Sequence, residues 1–240
     1  MGDLRSDLLR RVRDNLRDGA SHLARVALDS LAEYAAVGTE DREDLRRELL
    51  SFADELGTVR PSMTAIHNLV ARWRMGVAEF DGDSDALRAY AREQARAVRN
   101  WADAATDATV RSVIGRLGES GCLFTHSISS TVVRVLTRLP SQRFTAIVTE
   151  ARPALEGWNL AATLAQEGLS VTYVTDAQAG IFVRKADAVL MGADAILADG
   201  SLVNKSGSYL IALAAREAGV PFYVCAESFK CTEETAETIT

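Results

Sequence analysis

Polar or charged residues follow each of five short apolar runs in the second half of the sequence. The five segments read THSISS (125–130), TEARP (149–153), TDA (175–177), GAD (192–194) and AESFK (226–230). Loops that only had to turn could be built from glycine, proline and asparagine, so these polar segments indicate a ligand site. Small and hydroxyl residues that lead into a helix present N–H groups to an anion, while Arg152 offers a guanidinium fork and Lys230 a point charge. The pattern predicts a site for a small, oxygen-rich, phosphorylated ligand.

The sequence uses arginine far more often than lysine, which draws attention to the positions of the few lysines. Of the 27 such residues, 24 are arginines, and the three lysines are Lys185, Lys205 and Lys230. A compact ammonium fits places where a planar guanidinium does not, so each lysine needs a reason. Lys185 falls late in a helical stretch, where a cation interacts favourably with the helix C-terminus. A position near a helix C-terminus does not explain Lys205 or Lys230.

Motifs of the common cofactor- and phosphate-dependent enzymes are absent. The sequence has no GxGxxG after a predicted strand, no GxxxxGK[ST], no GxSxG and no HExxH. Ser127 directly follows His126, and the two do not form a catalytic triad because neighbours in sequence point apart. We therefore expect no cofactor.

Metal and disulfide chemistry are not indicated either. The acidic stretch 81–85 resembles the start of a calcium loop but has Ala86 where glycine is required and Arg92 where the last acid belongs. We interpret it as a helix N-terminus capped by Asp83 or Ser84. The three cysteines form no CxxC pair and are expected to be reduced.

Composition describes an ordinary globular chain. The 240 residues are 48% hydrophobic and 25% charged. No apolar run approaches the roughly 20 residues of a membrane span, and the N-terminal stretch carries charges where a signal peptide needs an apolar core, so we expect a cytoplasmic protein. The net charge of -6, with no basic block, predicts no direct contact with nucleic acid.

The elements that must position the polar segments change character near Gly118. Before it, apolar residues recur at three- and four-residue spacing, which predicts helices. These helical stretches are 7–16, 21–35, 42–56, 62–77 and 83–117, separated by breaks at Gly19, 37–39 and 60–62.

After Gly118, short β-branched runs alternate with helical stretches. The runs are 122–125, 144–148, 170–175, 187–191 and 221–225, and the helical stretches are 129–138, 155–167, 177–185 and 207–218. This alternation is typical of βαβ units and predicts an α/β fold with a doubly wound, mostly parallel, Rossmann-like sheet. We expect a helical domain over 1–118, an α/β ligand-binding domain over 119–230 and a flexible tail over 231–240. Ligands of such sheets lie beyond the carboxyl ends of the strands.

Several motifs of the second half resemble one superfamily. They are E-x-R-P at 150–153 followed by Gly157, GAD at 192–194, DGSLVNKSGSY at 199–209 and PFYV at 221–224. Together, residues 144–230 resemble the superfamily of the translation initiation factor 2B alpha, beta and delta subunits, ribose-1,5-bisphosphate isomerase and methylthioribose-1-phosphate isomerase. The segment 226–230 is most similar to the branch of ribose-1,5-bisphosphate isomerases and archaeal 2B-like proteins.

The helical half resembles the same family more loosely. The RDGAS segment at 17–21 resembles a Gly-Ala turn whose amides contact phosphate, and RPS at 60–62 resembles an Arg-Pro-Thr/Ser motif. The residues that the resemblance places around a phosphorylated ligand are Gly19, Ala20, Ser21, Arg60, Arg152, Asn204, Lys205 and Lys230.

The resemblance also implies an acid–base pair, of which this sequence keeps one member. The family's isomerases convert an aldose 1-phosphate into a 2-ketose phosphate, which needs a proton taken from C2 and one returned at C1. In those relatives the pair is an aspartate of the GAD motif and a cysteine in a Thr-His-Cys turn. Asp194 matches the aspartate, whereas Ser127 stands in the place of the cysteine. Cys122 lies too far along the strand to replace it.

Three hypotheses follow from the resemblance. The favoured one is a 2B subunit-like protein that binds a sugar phosphate or nucleoside monophosphate without catalysis, as a homodimer with a translation initiation factor as candidate partner. The alternative is an aldose–ketose isomerase that uses Asp194 with Ser127, a water or another acid. A partner-binding scaffold with a relic pocket is disfavoured by Lys205 and Lys230. The sequence ends ten residues after Lys230, short of a segment that helps to form the family's dimer, which leaves the oligomer geometry open.

The candidate residues also have structural alternatives. Asp194 could only turn its loop, and Asn204 could only be a turn former. Arg152 could pair with Glu150 or Glu156 on the surface.

Two further polar residues at the strand ends are given structural roles. Asp176 is expected to be a helix N-cap, with ligand contact as the alternative. His126 is expected to be a hydrogen-bonded structural imidazole rather than an acid.

Overall fold

The structure is a computed structural model that describes residues 2–16, 18–37 and 39–237. Arg17 of the predicted phosphate motif, Gly38 of a predicted break and the last three residues of the predicted tail lie outside the described residues.

The described residues divide into two compact units. The helical unit contains the residues up to Ala105, Leu197–Ser201 and the residues from Ser228 on. The sheet unit contains Thr106–Ile196 and Leu202–Glu227. The domain boundaries expected from the sequence, after 118 and after 230, remain predictions.

Helices of the first half follow the predicted stretches closely. They are α1 (Gly2–Arg13), α2 (Ala20–Tyr34), α3 (Arg42–Thr58), α4 (Thr64–Glu79) and α5 (Ser84–Ile114), of which α5 continues past Ala105. The Asp83 carboxylate accepts the Ala86 N–H at 2.8 Å, which confirms the acidic stretch as a helix N-terminus. Asp41 caps α3 in the same way, through the Asp44 N–H.

The core of the helical unit forms because the apolar stripes of its helices face each other. Trp73 and Phe52 are the largest fully buried side chains. The Trp73 indole N–H donates to the Ala91 carbonyl at 2.8 Å, so its polar atom is satisfied in the core.

The sheet unit alternates strands and helices as predicted. Its strands are β1 (Gly121–Thr125), β2 (Phe144–Thr149), β3 (Ser170–Val174), β4 (Ala188–Met191), β5 (Ala195–Ile196), β6 (Leu202–Val203) and β7 (Phe222–Val224). Its further helices are α6 (Ser130–Arg138), α7 (Glu156–Gln166), α8 (Ala179–Phe182) and α9 (Ser208–Ala218), with 3-10 turns on both sides of α8.

Five strands form one parallel sheet in the order β3-β2-β1-β4-β7. Phe124 in the central strand pairs in register with Ile147 on one side and Val189 on the other. Strands β2 and β4 are buried along nearly their whole length, which explains why they read as apolar runs rather than alternating ones. The predicted α/β fold with a parallel sheet is confirmed.

The short antiparallel pair of β5 and β6 was not predicted. Ala195 pairs with Val203 and Ile196 with Leu202, and two-residue strands are too short to show a period in sequence. Within the described residues, no helix is both long and apolar enough to cross a membrane.

Candidate ligand site at the switch point of the sheet

The strand order reverses between β1 and β4, which are adjacent and parallel. Ser127 lies just after β1 and Asp194 just after β4. In open α/β sheets, ligands bind in the crevice beyond the carboxyl ends of the strands at such a switch point. The topology therefore brings the two residues predicted as the acid–base pair to the two loops at this point of the sheet.

The loops after β1 and β4 approach each other closely. Ser127 has φ 63°, a left-handed conformation rare for a residue with a side chain, and is 8% exposed. Two residues on, Ser129 caps α6 by accepting the Val132 N–H. A Cβ on Gly192 would lie 2.7 Å from the Ser129 Cβ and Oγ atoms. Only glycine at 192 allows this approach.

Asp194 is held in its loop through the backbone. Its N–H donates to the Val203 carbonyl at 2.8 Å, next to the short β5–β6 pair. The residue is half-buried. A half-buried carboxylate on a fixed loop suits either the proton-transfer role or the turn role that the sequence left open.

The loop after β2 also has an unusual backbone. Ala151 has φ 58° and Leu155 has φ 60°. A Cβ on Gly157 would lie 1.7 Å from the Thr149 carbonyl oxygen. The start of α7 therefore presses directly against the end of β2, and no other residue type fits there.

Asp176, after β3, stabilises this loop. Its carboxylate accepts the N–H groups of Ala151 at 2.9 Å and of Arg152 at 2.8 Å. The expectation that Asp176 is a helix N-cap is wrong, because Thr175 is the N-cap and forms a capping box with Gln178. The sequence could not show that the Asp176 carboxylate accepts a hydrogen bond from a loop 25 residues away.

The pKa of Asp176 lies below its usual value. Partial burial alone would raise it, but the backbone N–H groups of Arg152 and Ala151, the Thr149 hydroxyl and the neighbouring His126 together outweigh burial. Asp176 is therefore an ionised carboxylate that is held by its donors in the folded protein.

His126 joins three loops of the same edge. Its Nε2 lies 2.8 Å from the Ser206 carbonyl and its Nδ1 lies 2.5 Å from Thr149 Oγ1. A carbonyl oxygen only accepts, so Nε2 carries a hydrogen and donates. Nδ1 is also 3.6 Å from an Asp176 oxygen. The ring is buried, and the expectation of a hydrogen-bonded structural imidazole is confirmed.

The loop before α9 carries Asn204 and Lys205. The Asn204 amide donates to Ser208 Oγ at 2.8 Å, in keeping with a role in the turn. The Lys205 ammonium donates to Glu156 Oε1 at 2.7 Å. The alternative in which Arg152 pairs with Glu150 or Glu156 is not seen in the described part of the chain, where Arg152 is exposed.

Two acidic residues of the sheet unit were missed by the sequence reasoning. Glu156 was considered only as a partner of Arg152, because Lys205 is 49 residues away. Glu227, after β7, is buried and accepts the hydroxyls of Thr106 at 2.9 Å and Thr131 at 2.7 Å. The only sequence signal for Glu227 was its place directly after a strand.

The predicted phosphate motifs of the helical unit lie at the ends of helices. Gly19 is the N-cap residue of α2 and forms no side-chain cap, and Ala20 and Ser21 lie buried in its first turn. The Arg60 guanidinium donates to the carbonyls of Arg13 at 3.1 Å and Asn15 at 3.2 Å, so it closes the end of α1.

Lys230 ends a 3-10 turn in the helical unit and is 3% exposed. Asn68, on α4, donates to the carbonyls on both sides of it, those of Phe229 at 3.0 Å and Cys231 at 2.8 Å. The backbone around Lys230 is therefore fixed.

Within the described residues, no group of three histidine, cysteine or acidic side chains could hold a metal ion.

The fold and these loops define a class, an α/β protein with a candidate ligand site at the switch point of a parallel sheet. A model of the initiation factor 2 subunit family matches residues 16–239. The chain is 34% identical over 227 residues to a translation initiation factor eIF-2B subunit 2-like protein of Pyrococcus horikoshii, covering 93% of this chain and 78% of that protein. It is 32% identical over 225 residues to the ribose 1,5-bisphosphate isomerase of Archaeoglobus fulgidus, covering 90% and 68%.

Solved structures of similar proteins have the same fold as this chain. The crystal structure of the P. horikoshii translation initiation factor eIF-2B has a TM-score of 0.88 and 29% identity, covering 98% of this chain and 83% of that one. The fold is also that of a 5-methylthioribose 1-phosphate isomerase from the same organism, with a TM-score of 0.76, 22% identity and coverage of 93% and 68%. The chain belongs to the initiation factor 2 subunit family, which confirms the resemblance described from the sequence.

Proposed function

We propose that this chain is a 2B subunit-like protein that binds a sugar phosphate or a nucleoside monophosphate at the switch point without isomerising it. The observation that carries the proposal is the buried Ser127, which stands at the end of β1 beside the strand that leads to Asp194. The position keeps a strained, non-glycine backbone that a plain turn does not need. This backbone supports a specialised loop at the position where the resemblance places the family's thiol.

Proton transfer is disfavoured by the chemistry of the hydroxyl. A thiol titrates at about 8.5 and exchanges a proton near neutral pH. A serine hydroxyl holds its proton far more tightly and is poorly matched to either half of the C2-to-C1 transfer. Asp194 alone could accept one proton but would have no matched partner on the other side of the sugar.

Phosphate binding is supported by the helices at the same edge of the sheet. Helices α6 and α7 begin at the ends of the loops that follow β1 and β2, and α9 begins at the end of the loop that carries Lys205. Helix N-termini direct N–H groups and the positive end of the dipole at an anion. The exposed Arg152 adds a guanidinium that can bind a phosphate through two hydrogen bonds.

An aldose–ketose isomerase is the second candidate. It is favoured by the 32% identity to a relative named ribose 1,5-bisphosphate isomerase and by the fixed place of Asp194 after β4. In this case a water or another acid would have to take the place of the family's cysteine.

One experiment separates the two candidates. Thermal shift is measured with ribose 1,5-bisphosphate, methylthioribose 1-phosphate, AMP and GMP, and any stabilising sugar is then followed by NMR. The proposal expects stabilisation by at least one ligand and no conversion of the sugar. Conversion that Asp194→Asn abolishes would establish the isomerase, and no stabilisation by any ligand would contradict both candidates.

The assembly is part of the proposal. We propose a homodimer, with a translation initiation factor as a further partner, because one relative is named an eIF-2B subunit 2-like protein and the fold also occurs in a tetrameric eIF2B complex from C. thermophilum. Light scattering of the purified chain tests the dimer, and a monomer at micromolar concentration would contradict it.

A further inference from the structure

The ammonium of Lys205, one of the candidate ligand residues, is already engaged by a carboxylate. Its Nζ lies 2.7 Å from Glu156 Oε1. The Lys205 side chain is 21% exposed and that of Glu156 is 13% exposed. This pair is therefore largely withdrawn from water, unlike the surface ion pairs of the arginine-rich helices.

The pair is incompletely satisfied. In the part of the chain that the structure describes, no donor reaches the buried Oε2 of Glu156. An ionised oxygen that is buried without a hydrogen bond is costly, and a mostly buried ion pair recovers its desolvation cost only when the remaining lone pairs are also satisfied. The contact is thus one that a better partner for the ammonium can replace.

The backbone holds Glu156 in place. The residue before it, Leu155, has a left-handed backbone. The residue after it, Gly157, has no room for a Cβ against the Thr149 carbonyl, and its N–H donates to the Glu150 carbonyl. With this backbone constrained, Glu156 and Lys205 can separate only by rotation of their side chains, so the carboxylate stays close to whatever binds there.

We propose that Glu156 is an internal counter-ion that competes with an incoming anionic group for the Lys205 ammonium and so determines the charge of ligand that the site accepts. The proposal rests on the proposed function. A phosphate monoester dianion, with its higher charge and three acceptor oxygens, can displace the carboxylate, whereas a singly charged carboxylate ligand cannot. Glu156 therefore acts as a specificity-determining residue that selects phosphorylated ligands over other small anions.

The test removes the negative charge of Glu156 and keeps the shape of its side chain. In Glu156→Gln the amide oxygen still accepts from Lys205, but the negative charge is gone. Affinity for AMP and for inorganic phosphate, measured by calorimetry, is expected to rise about tenfold, because the anion no longer competes with a carboxylate for the Lys205 ammonium. Glu167→Gln removes an exposed acid just after the same helix and is expected to leave both affinities unchanged.

A second pair of variants shows that the gain acts through Lys205. In the Lys205→Met background, Glu156→Gln is expected to give no gain, since there is no ammonium to release. The selectivity also changes: acetate, a singly charged probe, is expected to compete with phosphate in Glu156→Gln and not in the wild type. Glu156→Ser provides the same test with a smaller side chain should the glutamine variant fold poorly.

The affinities of these variants support or overturn the counter-ion role of Glu156. Tighter binding in Glu156→Gln that depends on Lys205 supports the counter-ion role. Equal or weaker binding in that variant, or a gain that persists in the Lys205→Met background, overturns the role and leaves the proposed function standing if the wild type binds a phosphorylated ligand. Absence of AMP and phosphate binding in both the wild type and Glu156→Gln overturns the role, and it overturns the proposed function as well if neither sugar phosphate stabilises the wild type.

Discussion

The strand-end loops of the sheet unit and the phosphate-like motifs of the helical unit use their polar groups differently. Among the described residues, the three non-glycine residues with left-handed backbones are Ser127, Ala151 and Leu155, and all lie in loops of the sheet unit. In the helical unit, Arg60 closes the end of α1 and the GAS segment at 19–21 starts a regular helix.

The difference shows where the molecule has specialised geometry. Strained backbone persists only where the surrounding contacts determine it, and it concentrates at functional sites. The strand-end loops meet this condition through His126 and Asp176, which bind backbone and side-chain groups of neighbouring loops. The helical motifs could be explained by helix stability alone.

The largest expected effect is that of Gly157→Ala. The new Cβ would overlap the Thr149 carbonyl oxygen, and moving the start of α7 should cost more than about 3 kcal/mol of unfolding free energy. Gly180→Ala, on α8, meets no atom within 4 Å and should be neutral or stabilise by up to about 1 kcal/mol. Urea unfolding measures both, and similar values would contradict the close packing of α7 on β2.

The second comparison is between two histidines. His126→Ala removes two hydrogen bonds and a buried ring, which should cost about 2 to 3 kcal/mol. His22, on α2, is exposed beside Asp18, and His22→Ala should change stability by less than about 0.5 kcal/mol. An insensitive His126 would show that the three loops are not joined by the imidazole.

Asp176→Asn tests the hydrogen bonds of the loop after β2 through pH. The pKa of Asp176 is lowered in the folded state, so its ionised form contributes stability above the unfolded pKa of about 3.9, and the contribution is lost as the pH falls through the lower folded pKa. The variant should be about 1 kcal/mol less stable at pH 7, and the difference should shrink below about pH 4. A difference that does not vary with pH would contradict this account.

The smallest stability effects separate two arginines. Arg60→Ala should cost about 1 kcal/mol, because it frees two carbonyls at the end of α1. Arg152→Ala should leave stability within about 0.5 kcal/mol, since the side chain is exposed, but should weaken phosphate-ligand binding about tenfold. Equal affinities for wild type and Arg152→Ala in calorimetry would remove Arg152 from the site.

Much of the fold was predictable from the sequence because each element is locally consistent. The helices and the five parallel strands follow apolar spacing, and their bounds differ from the predicted ones by a few residues. The order of the strands was not predicted, and it is the order that brings the loops of Ser127 and Asp194 together.

The candidate site was predictable as a set of positions but not as a set of contacts. The GAD loop and the segment after β1 were identified by their polar residues after strands. The Lys205–Glu156 pair and the two N–H bonds to Asp176 join residues 24 to 49 positions apart. Such partners depend on how the loops pack, which no spacing along the chain reveals. A carboxylate with several nearby donors can accept a hydrogen bond from any of them.

The central claim is that the switch-point pocket binds a phosphorylated ligand but lacks the second proton-transfer group. The most direct test compares the wild type with Ser127→Cys, using NMR of ribose 1,5-bisphosphate after binding has been measured by calorimetry. The account predicts that both proteins bind the sugar, that the wild type leaves it unchanged and that any conversion appears only with the cysteine. Conversion by the wild type at a rate equal to that of Ser127→Cys would contradict it.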